Sequence, residues 1–196
     1  MVKPRLKKTI FFIISGPSGA GEDSVIEGLG KKIKFERVIT TVTRAKRAGE
    51  REGKPYHFIT VPKFKKMIKN KEFWEWARVY GDYRGAAHKE LNRLMRKKTL
   101  ALWKVDYQGA ETIKKKMPEV LSISISPPSL ASLEKRLIKR GQDSLEVIKK
   151  RMPFTKKWLK HTKGYDYIVV NRENKLKETI DRVFKILMKS LRAASR

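Results

Sequence analysis

The sequence predicts an α/β domain: a parallel sheet with helices on both faces, an inserted mixed α/β subdomain and a lid. Three observations predict it. Apolar runs such as FFII and YIVV are continuous rather than alternating, as strands buried on both faces are. Amphipathic helical patterns follow these runs repeatedly. A glycine-rich turn joins the first run to the first helix.

In order along the chain, TIFFIIS (9–15) is a strand, and a helix runs from Glu22 to about Lys32. The stretch 37–90 breaks the rhythm with short β-like pieces (VITTVT, YHFITV, FWEWARVY) among glycines and charges, and reads as the insertion. LALWKVD (100–106) is a strand leading to a helix near 108–116. VLSISIS (120–126) leads through Pro127 and Pro128 to a helix over 129–139. KRGQDSLEVIKKRM (139–152) sets basic residues around a glycine turn and reads as the lid. YDYIVVN (165–171) and a helix over 174–193 close the domain. The chain is thus one domain, 1–196, with a core of 9–36, 97–138 and 153–190, a subdomain of 37–96 and a lid of 139–152.

Composition narrows the function classes. The 196 residues, 40% hydrophobic, suffice for one substantial core. With no cysteine, disulfides and cysteine-ligated metals are excluded, which fits a cytoplasmic location. No apolar run approaches the length of a membrane span, so no membrane partner is expected. The basic start MVKPRLKK flows into a strand and a glycine loop, not into a cleavage site. The net charge of +28 draws polyanions. Its lysines, however, are scattered over 63–71, 114–116 and 149–160 without a nucleic-acid-binding motif.

The chemistry begins at GPSGAGEDS (16–24). The phosphate-binding pattern G-x-x-x-x-G-K-[ST] is met at Gly16 and Gly21, but Glu22 stands at the lysine position and Asp23 at the hydroxyl. Backbone N–H groups over Gly16, Ser18, Gly19, Ala20, Gly21, Glu22, Asp23 and Ser24 still form a cradle for the phosphates of ATP. Asp23 offers a hard carboxylate for Mg²⁺ in place of the hydroxyl. Further on, Arg44 and Arg47, with Tyr56 downstream, suit a phosphate dianion, because arginine offers planar bidentate donors and tyrosine a neutral one.

Six segments in order carry a resemblance: GPSGAG, TVTRAKRAGEREGKPYHF, FWEWARVYGDYRG, VDYQGA, RLIKRGQDSLEVIKKRM and YDYIVVN. From about residue 9 to 188 the chain resembles the guanylate kinases, P-loop nucleoside monophosphate kinases that move a phosphoryl group from ATP to GMP. The resemblance implies a P-loop NTPase-like sheet, Mg²⁺ with ATP, and GMP or dGMP as acceptor. It implies that Arg44, Arg47 and Tyr56 grip the GMP phosphate while Glu50 orients them. Glu75 and Asp106 would accept the guanine N1–H and N2–H₂ donors, and Thr40 would reach the base with its hydroxyl. The resemblance also puts Tyr83 and Arg84 at the GMP site: Tyr83 stands where the family has the first of two tyrosines, Arg84 replaces the second and would take over a tyrosine's contact to the GMP phosphate, and Ala86 replaces a hydroxyl residue that contacts the base. Lid arginines Arg136, Arg140 and Arg151 would surround the migrating phosphoryl group, and Asn171 would lie near the adenine.

The departures have a pattern. Where the family has an acid two residues before Asp106, this chain has Lys104, so the loop lysine and the strand acid have exchanged signs. A strand's C-terminal end is where open parallel sheets bind ligands, so Lys104 is expected to act in catalysis in place of the missing loop lysine. Two alternatives remain open on the sequence: a binding module for a phosphorylated partner that has lost catalysis, and a polyanion-associated protein that keeps the kinase fold.

Overall fold

The computed structural model describes residues 1–194 except 3, 5 and 142; Gln142 of the expected lid thus lies outside the described residues. In chain order the elements are β1 (Ile10–Ser15), α1 (Glu22–Lys32), β2 (Glu36–Arg37), β3 (Thr40–Val42), β4 (Arg51–Glu52) and β5 (Pro55–Phe58). Then come α2 (Val61–Lys69), β6 (Phe73–Val79), β7 (Asp82–Ala87), α3 (His88–Met95), β8 (Leu100–Lys104) and α4 (Tyr107–Lys116). The chain closes with β9 (Leu121–Ser126), α5 (Leu130–Arg140), α6 (Leu145–Lys160), a 3₁₀ turn, β10 (Tyr167–Val170) and α7 (Leu176–Ala194).

The apolar strand runs pack as their continuity predicts. Along β1, Phe12 and Ile14 face a layer with Val25 and Leu29 of α1 and Val183 and Leu187 of α7. Phe11 and Ile13, on the opposite pleat, face Leu91 and Leu94 of α3 and Ala110 and Ile113 of α4. Both faces are covered, so every residue of the run is apolar. Phe12, Ile14 and Leu29 are fully buried, each contributing about 1.5–3 kcal/mol by leaving water.

The core sheet is parallel throughout, in the order β10-β9-β1-β8-β2. The chain leaves β1 for α1 on one face and leaves the adjacent β8 for α4 on the other. Connections that part in this way open a crevice beyond the C-terminal ends of the two strands. The register sets Ile14 beside Lys104, which brings the end of β8 up to the glycine loop.

The strands of 40–87 form a separate mixed sheet, ordered β4-β5-β3-β7-β6. In β6 the alternation turns Phe73, Glu75, Ala77 and Val79 inward. The helix α6 runs past the end of the expected lid segment, through Pro153 to Lys160. Proline removes one backbone donor there; Ile148, Thr155 and Trp158 stay buried and hold the helix across it.

Candidate functional site

A cavity of about 260 Å³ occupies the crevice and joins the glycine loop, the second sheet and the later turns of α6. Gly16 opens the loop directly after β1; a side chain there would meet the Ile125 carbonyl at 2.8 Å. Gly21 closes it at φ +92°, left-handed backbone that favours glycine, and caps α1 without any side-chain hydrogen bond. The first-turn N–H groups of α1 therefore carry no side-chain cap, the condition for a phosphate-binding helix N-terminus.

Four charged side chains meet at the loop. The Lys104 ammonium donates to Asp23 Oδ2 at 2.6 Å and lies 3.4 Å from Glu22 Oε1. Arg37 approaches the other oxygen of Asp23 at 3.9 Å. Burial pulls the pKa of Lys104 down, but the Glu22 and Asp23 carboxylates outweigh it and hold it above the usual lysine value. Burial raises the pKa of Glu22 against the pull of Lys104. For the more exposed Asp23 the lysine wins over burial, and its pKa is lowered.

The second sheet supplies a phosphate-sized cationic corner. Glu50 takes both guanidinium nitrogens of Arg44, at 2.5 and 2.7 Å, and also accepts the Arg47 backbone N–H at 2.8 Å. The Arg44 guanidinium lies over the Tyr56 ring at 5.0 Å. Arg44 is thereby fixed by a bidentate ion pair and a stacking face at once. Tyr56 stands beside Thr40 in the register of β5 and β3, and both line the cavity.

Deeper in the cavity, Glu75 is 5% exposed and accepts the Ala86 N–H at 3.1 Å. Burial, and then the nearby Asp106 charge, push its pKa up to about 8. Asp106 caps α4 by accepting the Gly109 N–H at 2.9 Å, and burial raises its pKa as well. Two carboxyl groups in a desolvated recess call for hydrogen-bond donors. Arg84 lines the same wall, and its Nε is buried with no hydrogen-bond partner.

The structure brings most of the expected site residues to this cavity: Gly16, Ser18, Glu22, Asp23, Thr40, Arg44, Arg47, Glu50, Tyr56, Glu75, Arg84, Lys104, Asp106, Arg140 and Arg151. Gly19, Ala20 and Gly21 shape the loop behind its wall, and Ser24 is exposed on the first turn of α1. Three residues take other places. Tyr83 alternates away from Arg84 along β7 and packs on Phe64 and Trp76. Asn171 is buried; its amide donates to the Ala20 carbonyl at 2.8 Å and accepts from Thr179 at 3.1 Å, which makes it a clamp on the loop. Arg136 lies one turn before Arg140 and donates to the Asn171 carbonyl at 2.8 Å, away from the cavity wall.

Sequence reasoning missed three contributors. Asp143 holds both lid arginines, accepting from Arg140 at 2.8 Å and Arg151 at 2.7 Å. Its signal was present as an acid between two arginines in a lid-like segment. Arg37 reaches the site only because β2 lies beside β8, a pairing that no local pattern announces. Tyr80 lines the cavity, and burial raises the pKa of its hydroxyl.

Comparison with known proteins places this geometry. The guanylate kinase family model matches residues 8–190. A guanylate kinase from Shewanella violacea is 42% identical over 162 residues, covering 82% of this chain and 78% of its own length. One from Buchnera aphidicola is 41% identical over 169 residues, covering 85% and 82%. The crystal structure of guanylate kinase from Anaplasma phagocytophilum superposes with a TM-score of 0.73 at 31% identity, covering 94% of this chain and 87% of that one.

Proposed function

The chain belongs to the guanylate kinase family, and from that premise we propose that it transfers the γ-phosphoryl group of ATP to GMP or dGMP, giving ADP and GDP or dGDP. The observation that carries the choice of acceptor is the buried Glu75–Asp106 recess beside the Arg44–Glu50–Arg47 corner. Guanine presents two adjacent donors to the carboxyl groups, while Arg44, Arg47, Tyr56 and Arg84 take the phosphate. Adenine would set a ring nitrogen acceptor against the same carboxylates. Thr40 borders the base site.

In the transfer, an acceptor phosphate oxygen attacks the γ-phosphorus and the bond to the β-bridging oxygen breaks, its electron pair leaving with ADP. Such a step needs positioning and positive charge rather than a covalent protein group. The glycine loop and the N-terminus of α1 hold the donor phosphates; Arg140 and Arg151, tied through Asp143, are the lid's cations. We read 37–96 as the acceptor subdomain and 139–152 as the lid, whose closure would exclude water. Asp23, with an exposed hard carboxylate at the loop, fits a magnesium ion shared with the nucleotide phosphates and water. That ion would neutralise charge developing between the β- and γ-phosphates. No helix among the described residues is long and apolar enough to cross a membrane, in keeping with a cytoplasmic enzyme of nucleotide metabolism. The +28 charge would add non-specific affinity for polyanions.

The test is ADP release coupled to a spectrophotometric readout, with GMP, dGMP, AMP, UMP and CMP offered in turn. GMP and dGMP should support turnover at least about 100-fold faster than AMP, since carboxylates that hydrogen-bond a donor reject an analogue lacking it. Comparable rates with AMP would overturn the acceptor assignment.

A further inference from the structure

We propose that Lys104 reaches the β- and γ-phosphates of the nucleotide donor from the neighbouring strand and supplies the charge a phosphate-binding loop ordinarily takes from its own lysine. The proposal rests on the kinase reading above and names the residue that completes its donor site.

Four observations converge on it. The loop itself has Glu22 at its lysine position, so it contributes backbone donors but no cation. The parallel register of β1 and β8 sets Lys104 beside Ile14, at the strand ends where the loop begins. Its ammonium sits over positions 22 and 23 themselves, 3.4 Å from Glu22 and 2.6 Å from Asp23. It also lines the cavity together with Gly16, Pro17 and Ser18 of the loop. A lysine stem has four rotatable carbons, so a shift of the ammonium from Asp23 to an arriving phosphate needs no backbone movement.

Three other cations that line the cavity are engaged elsewhere. Arg44 is held bidentately by Glu50 on the acceptor side. Arg140 and Arg151 share Asp143 in the lid. Arg37 stands on the far oxygen of Asp23, at 3.9 Å. Without Lys104, two carboxyl groups would face the donor phosphates. With it, a cation lies 3.4 Å from Glu22, and Asp23 would be free to hold a metal ion if the lysine turned to the phosphates.

The experiment measures Mg·ATP affinity by calorimetry and the single-turnover transfer rate for the wild type, Lys104→Ala, Lys104→Met, Lys104→Asp and the double variant Glu22→Lys/Lys104→Asp. GMP affinity and the thermal midpoint serve as controls for folding. Lys104→Met keeps the apolar stem, so it isolates the charge if Lys104→Ala folds poorly. Both neutral variants should bind Mg·ATP at least about 10-fold more weakly and transfer at least about 100-fold more slowly, with GMP affinity within about twofold of wild type. The double variant should be at least about 10-fold faster than Lys104→Asp alone, because it returns the cation to the loop. The proposal is overturned if the neutral variants stay within about twofold of wild type in both affinity and rate, or if the double variant is no faster than the single. A wild type that binds Mg·ATP through Lys104 yet phosphorylates no monophosphate would sink the kinase reading and leave this one standing. An active wild type indifferent to Lys104 would do the reverse.

Discussion

The two halves of the cavity solve the same problem, holding phosphate, in different ways. On the acceptor side Arg44 is pinned by Glu50 and by the ring of Tyr56, and the backbone of Arg47 is held by the same Glu50. On the donor side the backbone loop is pinned, by Gly16 against Ile125 and by Asn171 against Ala20, while the cation is a lysine on a flexible stem from another strand. Backbone donors depend on dihedral angles and topology and not on which side chain brings the charge. A donor site can therefore move its lysine and keep its cradle. The acceptor site must place guanidinium and carboxyl atoms at fixed positions, and it has less freedom to exchange them.

The contrast is broken most directly at Arg44. Arg44→Ala should lower kcat/KM for GMP by about 10³-fold, or about 4 kcal/mol, since it removes a phosphate contact and leaves Glu50 half-buried without its bidentate partner. Arg44→Lys keeps the charge but not the fork, and should still cost about 50-fold. The charge-conserving Lys104→Arg on the donor side should cost less than about fivefold. Steady-state kinetics with GMP as the varied substrate checks all three. Equal tolerance of the two conservative changes would remove the distinction between a pinned and a mobile cation.

A smaller effect, with a pH signature, is expected at Glu75. Glu75→Gln presents an amide donor to guanine donors and should weaken GMP binding about 100-fold while leaving ATP affinity within about twofold. In the free protein Glu75 holds its proton up to about pH 8, far above the usual 4.5 of an unfolded chain. Between those values the folded state keeps a proton that the unfolded state has lost. Stability therefore falls as pH rises from about 4.5 toward 8 and levels beyond it. GMP needs the carboxylate, so its affinity should move the other way, rising by up to about tenfold per pH unit until near pH 8. Calorimetric GMP titrations and urea melts from pH 6 to 9 read both slopes, and Glu75→Gln should flatten both. A wild-type GMP affinity independent of pH over that range would refute the buried-acid account.

How much of this could be read from the chain depended on which force set each feature. The core strands were legible because burial on both faces leaves no room for polar residues, as Phe11 to Ile14 show. The loop was legible because Gly16 and Gly21 answer local demands of space and φ. The approach of Lys104 to Glu22 was legible through its exchange of sign with the loop residue. The side on which a residue of β7 faces was not: one step in register separates Tyr83, packed on Phe64, from Arg84 in the cavity. The sequence suggests ligand contacts for Asn171 and Arg136, but Asn171 donates to the loop carbonyl of Ala20 and Arg136 to the carbonyl of Asn171. Arg37 and Asp143 depend on tertiary pairing and had no motif of their own.

The smallest expected effect sharpens the acceptor side where it departs from its relatives' pattern. Ala86 is fully buried, and its N–H already donates to Glu75 Oε1. Ala86→Ser would place a hydroxyl within reach of that carboxyl group or of the bound base. One added neutral hydrogen bond is worth about 1 kcal/mol, so GMP should be preferred over AMP about fivefold more strongly than in the wild type. A hydroxyl donating to Glu75 also favours its ionised form. The rise of GMP affinity with pH should then level off at lower pH, in the direction opposite to burial. The two readouts separate the two acts of the hydroxyl: the GMP-to-AMP ratio reports contact with the base, and the pH profile reports contact with Glu75. If neither moves while the variant keeps its thermal midpoint, the recess discriminates through its carboxyl groups alone, and the absence of a hydroxyl at position 86 has no bearing on base choice.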